Sequence, residues 1–95
     1  MVDKIDKIRK QIDRIDMVLI TALAERMSVM PDIAEYKREH NVPIFQEARE
    51  QEIMKKLKRI ANDHNLNESF VEEIFLSIFN EAKRIQQEVM NNSSD

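Results

Sequence analysis

From Ile5 to Tyr36 the sequence keeps a single rhythm. Ile5, Ile8, Ile12, Ile15, Leu19, Ala22, Val29, Ile33 and Tyr36 recur in alternating steps of three and four, with one polar side chain, Arg26, in the series. That spacing aligns side chains along one face of an α-helix. A helix of about 38 residues is about 57 Å long, yet a compact globule of this size has a radius of gyration of only about 12 Å. Folded alone, such a helix leaves its isoleucines in water. A second copy of the chain, packing its own elements on the seam, is the simplest cover. The expectation is an intertwined, obligate homodimer.

Pro31 stands inside this pattern. The seam holds its phase on both sides of the proline, and neither neighbour, Met30 or Asp32, is a glycine, asparagine or serine that would make a turn. Met30 is also a poor N-cap. The pattern therefore predicts one kinked helix over residues 3–40, with the kink removing a donor and crowding the Met27 carbonyl at about 3 kcal/mol. A continuous helix returns Arg26 and Lys37 to within about 20° of the same face.

Asn41 and Pro43 end that helix. A second is predicted over 46–63, with Ile53, Leu57 and Ile60 on its apolar stripe and Met54 and Ala61 beside it. In the turn "NDHNLNES", Asn67 is a candidate N-cap, and Ser69 with Glu72 forms a competing capping box. A third helix over 68–91 carries Val71, Phe75, Ile78, Ala82, Ile85 and Val89, and residues 91–95 read as a frayed tail. With no glycine and mostly helix-forming residues, the chain is an all-α domain spanning 1–95.

The same composition narrows the function. There is no cysteine, so disulfides and thiolate metal sites are excluded. His40 and His64 sit in helix-ending segments without partners at ligand spacing, so no metal site, Ser-His-Asp set or Cys-His set is expected. A net charge of −3 argues against nucleic acid. No segment has the length of apolar sequence needed for a signal peptide or a membrane span, which predicts a soluble cytoplasmic protein.

Arg26 occupies a seam position where an apolar side chain belongs, and a cation there must be paired or solvated. Lys37 lies three turns further on, Arg49 and Glu50 flank the stripe of the second helix, and Gln86 lies one turn beyond Ala82 on the third. Each has a plain alternative: Arg26 as a register-setting ion pair, Lys37, Arg49 and Glu50 as surface charges. Met27, Met30 and Met54 are core filler. Arg9 is remote from Arg26 in its own chain but could meet a partner's site in an antiparallel dimer.

The ordered runs "IRKQIDRID", "LAERM", "IAEYK", "VPIFQEARE", "FVEEIF" and "IQQ" resemble the all-helical chorismate mutases over most of the chain, about Asp3 to Met90. The resemblance implies a dimer of three-helix protomers with two equivalent sites. It also implies the [3,3] rearrangement of chorismate to prephenate in phenylalanine and tyrosine biosynthesis, without cofactor, nucleophile or proton transfer. Such a reaction needs a dicarboxylate held compactly and donors aimed at the ether oxygen, where negative charge grows as the C–O bond breaks.

By the same resemblance, Lys37 and Gln86 are the catalytic donors to the ether oxygen. Arg26, with Arg9 of the other protomer, pairs the carboxylates through its planar fork. Glu50 accepts from the ring hydroxyl and Arg49 holds Glu50. Two positions depart from the family pattern: Ala82 replaces a frequent serine, and Gln46 a common aspartate whose contact is made through the backbone. The rival readings are an isochorismate pyruvate lyase, disfavoured by Glu50, and a non-catalytic helical dimerisation or regulatory module. The last predicts that the polar side chains do not converge on one pocket.

Overall fold

The computed structural model describes residues 3–92, and these form four α-helices: α1 (Lys4–Ser28), α2 (Met30–Glu39), α3 (Glu47–Asp63) and α4 (Glu68–Asn92). The fold is all-helical. The tail expected at 91–95 begins inside α4, which runs to Asn92, and its last residues, 93–95, lie outside the described part.

The long first helix is interrupted for one residue. Val29, at φ −90° and ψ −6°, stays in the right-handed region, and its N–H turns back to the Met27 carbonyl. Pro31 falls in the first turn of α2. There its missing N–H costs least and its fixed φ suits the helix. The ladder resumes where the Ile33 N–H donates to the Val29 carbonyl at 3.2 Å. The expected 3–40 helix is therefore two helices meeting at Val29, because the proline cannot supply the donor that would join them.

Glycine is the usual residue just past a helix C-terminus, and this chain has none. Asn41 (φ 54°) and Asn65 (φ 58°) take the left-handed position after α2 and α3. Asparagine is among the few other residues that tolerate it. After α2, the Val42 N–H donates to the Lys37 carbonyl at 2.8 Å and the Asn41 N–H to the Arg38 carbonyl at 3.4 Å. After α3 the Leu66 and Asn65 N–H groups repeat the pattern on Ala61 and Asn62. Both ends are Schellman closures. At the start of α4, Asn67 Oδ1 accepts the Phe70 N–H at 2.9 Å, so Asn67 is the cap.

The buried core lies where α4 packs on α2 and α3. It comprises Met30 and Ala34 from α2, Met54 and Ala61 from α3, and Val71, Ile78, Phe79 and Ala82 from α4. In α3 the buried face is rotated from the expected stripe: Met54 and Ala61 are buried, whereas Ile60 is 43% exposed. α1 has no fully buried residue, Arg26 and Met27 near its end being half-buried, and Ile5, Ile8, Ile12, Ile15 and Leu19 are all exposed. The chain measures 62 × 29 × 15 Å with a radius of gyration of 17.5 Å, an extended shape for its length. Among the described residues, no helix is long and apolar enough to cross a membrane.

Candidate active site

The turn that ends α2 builds the centre of the site. Because the backbone reverses at Asn41, one turn beyond Lys37, the loop brings the Ile44 carbonyl back onto the lysine, whose Nζ donates to it at 2.8 Å. The same ammonium donates to Gln86 Oε1 at 2.9 Å. An ammonium has three donors and no acceptor. One N–H of Lys37 is therefore left over, and the Gln86 amide is forced to turn its oxygen to the lysine and its Nε2 away. Among the described residues that nitrogen meets only the Met30 sulfur at 3.5 Å, a weak acceptor. Gln86 is 5% exposed, a buried amide with an underused donor.

Arg26, near the end of α1, lies over the Phe79 ring at 5.6 Å from guanidinium carbon to centroid. Its Nη1 is buried without a hydrogen-bond partner among the described residues. A buried donor left unpaired costs free energy unless a ligand meets it. Burial lowers the pKa of Arg26, which nonetheless remains a cation. Lys37 is also pushed down by burial, a shift opposed by the carboxylate of Glu50.

From α3 come Arg49 and Glu50, with Gln46 as the residue capping the helix. Glu50 Oε2 accepts from Lys83 Nζ at 2.9 Å, while Arg49 reaches Glu52 at 3.1 Å. The carboxylate is thus held by Lys83 rather than by Arg49, because the Arg49 side chain runs along the exposed face of its own helix. Lys83 Nζ also stands 4.5 Å from the centre of the Phe45 ring.

These groups surround one cavity of about 220 Å³. Of the residues singled out in the sequence, Arg26, Lys37, Gln46, Arg49, Glu50, Ala82 and Gln86 line it. Ala82 contributes only a methyl group. Arg9 does not line it: its side chain is exposed beside Asp6 at 3.9 Å. Along α1 the separation of Arg9 from Arg26 is about 26 Å. Lys83 was not singled out, although Phe79, Ala82, Lys83 and Gln86 fall at the i, i+3, i+4, i+7 spacing of one helix face. The Ile44 carbonyl carried no sequence signal.

The cavity thus offers four cations, one carboxylate and two amides, on a chain whose net charge is −3. Such a site suits a small anion to which it could donate hydrogen bonds; among the described residues no serine, cysteine or histidine lines it. That lining fits the class of helical proteins that act on a small anion by positioning and electrostatics.

Comparison with known proteins gives that class its family. The family model "Chorismate mutase type II" matches residues 8–87, and the chain belongs to this family. A chorismate mutase from Methanocaldococcus jannaschii is 30% identical over 95 residues, covering 100% of this chain and 96% of that protein. A 4-amino-4-deoxychorismate mutase from Streptomyces venezuelae is 30% identical over 92 residues, 97% of this chain and 89% of that one. A bifunctional chorismate mutase/prephenate dehydratase from Aquifex aeolicus is 34% identical over 79 residues, 83% of this chain but 22% of the relative. As a member of this family the chain is an isomerase.

Proposed function

We propose that the chain rearranges chorismate to prephenate, serving phenylalanine and tyrosine biosynthesis in the cytoplasm. The observation that carries this reading is the Lys37–Gln86 pair, in which each side chain is locked by the other and each keeps one N–H unspent. Two donors held side by side suit an ether oxygen that gains negative charge as its C–O bond breaks. Because they are fixed before substrate arrives, no reorganisation is needed during the reaction.

The remaining side chains take roles consistent with the substrate's chemistry. Arg26, with its unpaired Nη1, binds one carboxylate. Arg9, which cannot reach the site of its own chain, binds the other from the partner subunit of an intertwined homodimer. The unburied apolar face of α1 supports that assembly, since a second copy would cover it. Glu50 accepts from the ring hydroxyl, Arg49 adds positive potential at the rim, and Gln46 faces the same hydroxyl from the helix start.

A non-catalytic dimerisation module would have no reason to gather Arg26, Lys37, Arg49, Glu50 and Gln86 around one cavity, which is how they stand. Glu50 also favours a mutase over an isochorismate pyruvate lyase, because a carboxylate lining the cavity suits an acceptor role toward chorismate's ring hydroxyl. The test is to follow chorismate loss by absorbance and identify the product after acid treatment, with isochorismate run in parallel. Prephenate formed far above the uncatalysed rate is the expected result. A folded protein that turned over neither compound would overturn the proposal.

A further inference from the structure

Lys83 lines the cavity and is used by none of the roles above. Its ammonium sits between the Phe45 ring, 4.5 Å from the centroid, and Glu50 Oε2 at 2.9 Å. Both partners of the ion pair are shielded, with side-chain exposures of 26% for Lys83 and 23% for Glu50, and both face the cavity. Shielding of this kind makes charge at the position felt more strongly than on an open surface.

From this we infer that Lys83 is a specificity-determining residue, admitting a neutral ring substituent at Glu50 and rejecting a cationic one. The inference rests on the mutase reading. Lys83 occupies one oxygen of the carboxylate, leaving Oε1 to accept from the substrate. A hydroxyl satisfies Oε1 and carries no charge against the lysine. A primary amine at the same ring position, as in 4-amino-4-deoxychorismate, is protonated at neutral pH and brings a second ammonium up to the first.

The other charged groups lining the cavity, Arg26, Lys37 and Arg49, are also cations, so nothing but Glu50 offsets the repulsion. Without Lys83, Glu50 would be a bare carboxylate facing the ring, which suits an ammonium better than a hydroxyl. Lys83 acts as the repulsive element that discrimination between near-isosteric substrates requires. Relatives named for the chorismate and for the 4-amino-4-deoxychorismate reaction share about the same identity with this chain, so overall similarity does not choose between these substrates.

The experiment compares kcat/KM for chorismate and for 4-amino-4-deoxychorismate in the wild type, Lys83→Met and Lys83→Arg. Reading the ratio of the two constants on a single preparation cancels any loss of folded protein. The wild type should prefer chorismate, Lys83→Met should lower that preference by about tenfold, and Lys83→Arg should retain it. An unchanged ratio in Lys83→Met, with chorismate still turned over, would overturn the role of Lys83 alone. Equal loss of preference in Lys83→Arg would show shape rather than charge to be responsible and would also overturn it. Wild-type protein inactive on both compounds would overturn the mutase reading, and this inference with it.

Discussion

At the residue scale the site is governed by how many donors each group has left. Lys37 uses two of its N–H groups on the protein, and this forces the orientation of Gln86. Replacing the amide by a carboxyl therefore has a pH signature. On the proposed reading, the side chain in Gln86→Glu would donate to the ether oxygen only while protonated. Lys37 nearby favours its ionised form, and burial favours its neutral one. Activity should be present at pH values below the folded-state pKa of the new carboxyl and be lost as pH rises through it. At neutral pH a deficit of about 100-fold or more is expected, the magnitude for removing one donor to a developing oxyanion. A kcat–pH profile parallel to the wild type's would remove Gln86 from its role as a donor.

At the scale of elements, the helix ends decide what faces what. Asn67 holds the start of α4 through the Phe70 N–H, and α4 carries Ala82, Lys83 and Gln86. Asn67→Ala should cost about 1 kcal/mol. Thermal unfolding at a fixed protein concentration should show it as a fall of about 4–8 °C in Tm. A Tm unchanged from the wild type would return the capping role to Ser69 and Glu72. The helical character of α1 and α2, the extents of α3 and α4 and Asn67 as one of two candidate caps were legible because they depend on local periodicity and on the chemistry of single side chains, whereas the buried residues of α2 are Met30 and Ala34 rather than Ile33 and Tyr36 of the expected seam. The break at Val29 was not, because a proline with the apolar phase kept on both sides is compatible with either a kink or an interruption. The Lys83–Glu50 pair was hidden for a different reason. It joins α4 to α3, and no spacing within one helix reports which charge on another will face it. Likewise the Ile44 carbonyl is a backbone group whose position follows from the course of a loop.

At the scale of the whole molecule, α1 projects from a core to which it contributes no fully buried residue. If a partner covers that helix and lends Arg9, activity must be a property of the pair. Arg9→Ala and Arg26→Ala proteins should each be nearly inactive. Mixed in equal amounts with subunit exchange complete, they should recover about a quarter of wild-type activity, because half the dimers are mixed and each has one intact site. No recovery after verified exchange would place all the substrate contacts within single chains. The Lys37 bond to the Ile44 carbonyl has its own consequence at this scale. It makes a short loop the clasp of the Lys37 ammonium, so the two are released together. Local opening costs less than global unfolding in short, exposed connections. Catalysis should therefore fade on warming when this loop lets go, while the helices around it are still intact. The working temperature range of the enzyme would be written in residues 40–46 rather than in the long helices.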